Sequence, residues 1–252
     1  MIRPAVAVAT LALALAACAR SNDTGGSPDR MTEHYRRLHP AVVYFTMKIP
    51  SNDPKRKGDW DDAYGSGAVV ASGPTGSRII TDAHVVADAR DLRATVGDRG
   101  TPVPARVTRV SDDADDLALV EIATPNLPVI ALGTADRLEP GRPVGVLGYP
   151  IPDAFMDEHL TNTVSLYTGH IASVRNGTIE LDLPIIPGES GGPVFDGITG
   201  DVIGIAESRF DEERAIGFAT PIDVVQRFLS RSAPSPVPRS AERPKGERTA
   251  AH

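Results

Sequence analysis

A chain of 252 residues, 41% apolar and 23% charged, is long enough to bury a sizeable core and too apolar to remain unfolded. Its formal charge of −7, with no basic run interleaved with aromatics, argues against a nucleic-acid binder, which must displace counterions from phosphates. Glycine and proline, 23 and 22 in number, exceed their usual share and point to short strands separated by turns.

The first residues, MIRPAVAVATLALALAACAR, begin with a cation at Arg3 and continue as an apolar run to Ala17. That pattern reads as a secretory signal over residues 1–17, too short to span a bilayer as a stable helix. Its end, Leu15-Ala16-Ala17-Cys18, resembles the lipobox of bacterial lipoproteins, so Cys18 is expected to carry a lipid that holds the mature chain on a membrane. Cys18 is the only cysteine, which rules out an internal disulfide. Residues 18–30 are polar, with glycine and serine, and read as a flexible tether. Ser27-Pro28 can cap a short helix through DRMTEHYRRL, ended before Pro40 by the restriction proline places on its predecessor.

From Ala41 the period is that of strands. AVVYFTMKI and SGAVVAS are separated by a charged loop, Pro50 to Ala63. SRIITDAHVV, LRATV, ARVTRV and LALVEI follow, and after RLEPGRP come VGVLGYP, TGHIASVR, TIELDLPII, GGPVFD, VIGIAES and AIGFAT. Many short strands with few helical periods predict an all-β fold, and two such sets meeting near residues 135–142 predict two barrels side by side. A short C-terminal helix is expected with Thr220 as N-cap, Pro221 at the first position and Asp223 at its positive end. Its apolar face is Ile222, Val225 and Leu229, with Val224 and Phe228 beside them. The globular part is thus residues 31–230, and the proline-rich stretch 231–252 is expected to be disordered.

Chemistry enters with PGESGGPVFD, Pro187 to Asp196. Ser190 could be a nucleophile on a tight turn, but a serine hydroxyl needs a base, usually a histidine oriented by a carboxylate. Of six histidines, His84 in IITDAHVVADA stands where an apolar strand ends and a turn of small residues begins. His34, His39, His159, His170 and His252 have no comparable setting. Asp116 opens the apolar run DLALVEI, where a carboxylate is drawn inward and needs a strong donor. Gly188-Glu189-Ser190-Gly191-Gly192 also fits the G-x-S-x-G elbow, but that fold needs its histidine after the serine, and only His252 in the tail follows. The order His84, Asp116, Ser190 is that of the chymotrypsin-like proteases. No histidine or acidic group has metal-ligand spacing, so no metal or other cofactor is expected.

Together GSGAVVAS, RIITDAHVV, DDLALVEI, LGYP, PGESGGPVFD, VIGI and IGFATPIDVV resemble the trypsin-like serine proteases of the HtrA (Deg) family, from about Pro40 to Arg231. The resemblance implies two six-stranded antiparallel barrels with the site between them. It implies His84 as general base, Asp116 as its orienter and Ser190 as nucleophile, with the amides of Gly188 and Ser190 as the oxyanion hole. It further implies a pocket lined by Ile185 and Ile216, suited to a small aliphatic side chain, and a polypeptide substrate laid as an added strand along Val202–Glu207, with Ile203, Gly204, Ile205 and Ala206 as its contacts. The family usually has asparagine where this chain has Glu189, and no PDZ-like segment is expected within these residues. The loop Pro152 to Thr163 looks longer than the family's and suited to gating the cleft, and trimers are common among the relatives. The expected function is a lipid-anchored envelope endopeptidase, possessing a competitor in a protease-shaped binding or chaperone protein with little turnover.

Overall fold

Glycine and proline punctuation divides the chain as the sequence suggests, and backbone pairing closes each half on itself. The computed structural model describes residues 28–111, 115–158, 160–175, 177–207 and 216–231. The signal, Cys18, most of the tether, His159 and the proline-rich tail lie outside the described residues. Helix α1 (Pro28–Leu38) starts within the expected tether. Six strands follow: β1 (Val42–Pro50), β2 (Trp60–Gly73), β3 (Gly76–Asp82), β4 (Arg90–Val96), β5 (Val103–Val110) and β6 (Leu117–Ile122). They close in the order β1-β2-β3-β6-β5-β4. Strands β7 (Pro143–Gly148), β8 (Ser165–Arg175), β9 (Thr178–Leu181), β10 (Pro193–Asp196), β11 (Val202–Glu207) and β12 (Gly217–Pro221) form the second barrel, ordered β10-β11-β12-β9-β8-β7. Every pairing between these strands is antiparallel. Closure leaves neither sheet an open edge.

Three short helices complete the fold: α2 (Ala83–Val86), α3 (Pro152–Asp157) and α4 (Ile222–Ser230). Strand β2 begins at Trp60, inside the stretch read as a charged loop, because Pro50 and Ile49 of β1 pair with Trp60 and Asp61. Thr220 is not the cap of α4. It lies within β12, Pro221 ends that strand and takes the cap position without a side-chain hydrogen bond, and the Thr220 hydroxyl donates instead to the Asp115 carbonyl at 3.4 Å. One apolar cluster fills the first barrel and runs through the seam to Tyr149, Phe195, Ile205 and the α4 face. A second, including Val144, Val146, Ile171, Ile179, Leu181 and Val194, fills the second barrel. Helix α1 leads into β1 of the first barrel and is tied to the second half of the chain: Met31 is buried, Arg37 donates to the Thr199 carbonyl at the β10–β11 turn, and the Tyr35 hydroxyl donates to the Val164 carbonyl.

Candidate active site

Strand β3 delivers the first candidate residue. It runs apolar and buried to Asp82, then the chain turns into α2, which leaves His84 with its side chain 46% exposed at the barrel rim. Asp116 stands just before β6, the neighbour of β3, in the left-handed region at φ 49°. That conformation lets one residue hold three donors. The Ala83 N–H donates to the Asp116 carbonyl at 2.8 Å, the His84 N–H to Oδ1 at 2.9 Å, and His84 Nδ1 to Oδ2 at 2.5 Å. A carboxylate can only accept, so Nδ1 carries a ring proton, which leaves Nε2 as the nitrogen that a base would use.

Ser190 comes from the second barrel and is 6% exposed. Its backbone is seated on the first barrel: the Ser66 N–H of β2 donates to the Ser190 carbonyl at 2.9 Å. Gly191 follows at φ +86°, and a Cβ there would strike the Ser66 carbonyl and the Thr81 hydroxyl and lie 3.1 Å from the Asp82 amide. Only glycine allows this approach. The residue after Ser190 therefore touches the end of the very strand that leads into His84.

The preceding turn is equally constrained. Glu189 N–H donates to the Ile186 carbonyl at 2.9 Å, Pro187 and Gly188 occupy the middle, and Gly188 has φ +95°, the pattern of a type II turn. The Pro187 carbonyl accepts the Ile151 N–H at 2.7 Å. Because the peptide is trans, the Gly188 N–H points the opposite way, away from Ile151. Ile151 itself has φ 36°, an uncommon conformation for a β-branched residue.

Ser66 is the residue that motif reading missed. Its hydroxyl donates to the Gly188 carbonyl at 2.6 Å and accepts the Tyr149 N–H at 3.0 Å, while its carbonyl accepts from the Thr81 hydroxyl at 2.7 Å. It joins the serine turn, β3 and the end of β7 at one buried point. Only its place in GSGAVV, two residues before the apolar run, hinted at it.

A family model for the trypsin-like peptidase domain matches residues 65–205. Serine protease HTRA1 of Xenopus tropicalis is 32% identical over 209 residues, covering 78% of this chain and 41% of its own. The chain belongs to the HtrA-like trypsin-like serine proteases. A relative from Pseudomonas fluorescens, described as a DegP-like periplasmic serine endoprotease, is 30% identical over 211 residues, covering 82% of this chain and 41% of its own. The chain thus spans about two fifths of the length of these curated relatives. A solved structure of the HtrA-type protease AlgW with a tripeptide aligns at TM-score 0.65 and 25% identity, over 79% of this chain and 62% of the other.

Within this HtrA-like frame the substrate-side residues fall differently from one another. Ile185 is buried and lies against Gly217, where a Cβ would be 2.8 Å from its Cγ1, and the adjoining Ile216 is 42% exposed. Both residues expected to line the pocket therefore lie at the start of β12. The expected strand addition along β11 needs correction. Pro193, Val194 and Phe195 of β10 already pair with Ile205, Gly204 and Val202, β12 pairs with Gly204 to Glu207, and Ala206 exchanges both backbone bonds with Gly191 and Gly192. Ile203, Gly204, Ile205 and Ala206 are interior to the sheet, and Glu207, which pairs with Phe218 of β12, is the residue of β11 that lies beyond the β10 ladder. The expected gating loop contains α3 and is tied down by the Val164 N–H, which donates to Asp98 Oδ1 at 2.8 Å. Potential ligand atoms of Asp82, His84 and Asp116 lie within 4.8 Å of one another, the one such grouping among the described residues. Asp116 has both oxygens engaged by His84, so fewer than the three protein donors of a catalytic zinc site are at hand.

Proposed function

We propose that the chain is a serine endopeptidase in which Ser190 Oγ attacks the scissile carbonyl, His84 Nε2 takes the hydroxyl proton, and Asp116 holds the ring and steadies the imidazolium. The observation that carries this is the triple engagement of Asp116 by Ala83 and His84, which fixes the ring tautomer a base requires. The tetrahedral intermediate places its oxyanion between the Gly188 and Ser190 amides. On collapse, His84 returns the proton to the leaving amine, and water, activated by the same imidazole, hydrolyses the acyl-serine. Substrate lies as an added strand beside the end of β11, and Ile185 with Ile216 favours a small or medium aliphatic side chain before the cut.

The export signal and lipobox further support action on proteins in the bacterial envelope, held there through Cys18, and the resemblance to the HtrA family implies a quality-control role and a trimeric assembly. The test is cleavage of an unfolded protein by the wild type and Ser190→Ala, with products sequenced and a fluorophosphonate probe in parallel. Wild type should cut after Val, Ala, Ile or Leu and take the label at Ser190, and the variant should do neither. Equal binding of unfolded protein by both, with no cleavage and no label, would make the chain a protease-shaped binding protein. Cuts mainly after Lys or Arg would overturn the pocket assignment alone.

A further inference from the structure

Glu189 takes no part in the reaction just described, yet its surroundings are unlike those of a surface acid. It is fully buried one residue before Ser190. Its Oε2 accepts the Ile186 N–H at 2.9 Å while its own N–H donates to the Ile186 carbonyl at 2.9 Å. This reciprocal pair, built like a helix capping box, closes the turn that carries Gly188 from both directions. The Glu189 carbonyl accepts the Gly192 N–H, and its Cα and Cβ lie 3.0 and 3.1 Å from where a Cβ on Gly148 of β7 would be. The second oxygen, Oε1, has no hydrogen-bond partner among the described residues.

A buried carboxylate with one donor is poorly compensated, so burial pushes the acid up to about 7, and the Ile186 N–H offsets this only in part. The titratable group that faces it is Tyr167 of β8, whose phenol is itself pushed up, by burial first and by Glu189 second. From β7 it meets backbone at Gly148, with the Ser66 hydroxyl of β2 beyond, and among the described residues no cation is recorded as stabilising its charge. The neutral acid keeps the Ile186 bond without stranding a charge.

We propose that Glu189 is a positioning residue of the oxyanion turn and that it works as the neutral acid, so that ionisation slackens the turn and lowers turnover on the alkaline side. The inference rests on Ser190 being the nucleophile. A slack turn lets the carboxyl reach water, where it ionises readily, so the ordered turn is the form that holds the proton more tightly. Raising the pH therefore shifts the population towards the slack form. His84 acts in the opposite sense, since it must be uncharged to accept the serine proton.

The experiment is kcat and KM from pH 5 to 9.5 for the wild type, Glu189→Gln and Glu189→Ala on a fluorogenic peptide taken from a mapped cleavage site, with Ser190→Ala as the blank. Glutamine copies the neutral acid, so Glu189→Gln should match the wild type at pH 6 and hold its kcat where the wild type falls about tenfold by pH 9. Glu189→Ala leaves the Ile186 N–H unanswered and should lose about tenfold or more in kcat at every pH, with KM within about twofold. A glutamine variant that keeps the wild-type alkaline fall, or an alanine variant as fast as wild type, overturns the proposal while leaving Ser190 in place. A wild type no faster than Ser190→Ala at any pH removes the nucleophile reading and this inference with it.

Discussion

Ser66 sits where three segments must agree, and none of its bonds reaches a reacting atom. Its hydroxyl is the donor to the Gly188 carbonyl and the acceptor for the Tyr149 N–H, and the residue is fully buried. In Ser66→Ala both partners lose their bond with no water to replace it, a cost of about 1–3 kcal/mol in stability. The turn that aims the Gly188 amide loses its tie to the first barrel, so kcat should fall about tenfold while KM stays nearly constant. Denaturant unfolding and steady-state kinetics on the same preparation check the pair of effects. A stability loss with kcat untouched would show that Pro187, held by Ile151, keeps the turn in shape without Ser66.

At the level of elements, α4 shows how little a short helix owes to its own sequence. Its Phe228 is 3% exposed, and the Arg109 guanidinium of β5 lies over the ring at 4.4 Å, so a helix that follows the second barrel is stapled to the first. Phe228→Ala should cost about 3–5 kcal/mol, measured by denaturant unfolding, whereas the partly exposed Leu229 should cost less when truncated. The strands were legible because turn residues bound them: LALVEI was read with the limits that β6 has, since an acidic run precedes it and a proline follows closely. Helix α3 was not legible, because six residues that open on a proline, with acids at Asp153 and Asp157, carry no apolar period. The Thr220 cap misled for a different reason. A hydroxyl before a proline suits an N-cap, but the ladder with Ile205 keeps Thr220 in the strand and turns its side chain to the other barrel.

For the whole molecule, what decides the site is the meeting of two barrels, and that is where sequence reading thins out. Order and spacing in the chain pointed to His84, Asp116 and Ser190, because each candidate sits at a strand end with its own local motif. The burial of Glu189 against Gly148 and the junction of Ser66 with Gly188 arise only when segments distant in the chain close on one another, so no local pattern announces them. That closure has a consequence for stability. The Glu189 acid moves from about 4.5 when exposed to about 7 in the folded chain, so between these values the native state holds more protons than the unfolded one. Stability then falls as pH rises from about 4.5 to 7 and levels off above, by at most about 3 kcal/mol. Other groups titrate over the same range, but they are common to Glu189→Gln, so the difference between the two proteins isolates this one. Urea unfolding at pH 5 and pH 8 should show the glutamine variant gaining on the wild type by up to about 3 kcal/mol across the interval. A difference that does not change with pH would mean the carboxylate finds compensation for its charge in the folded protein, and the neutral-acid reading would fall.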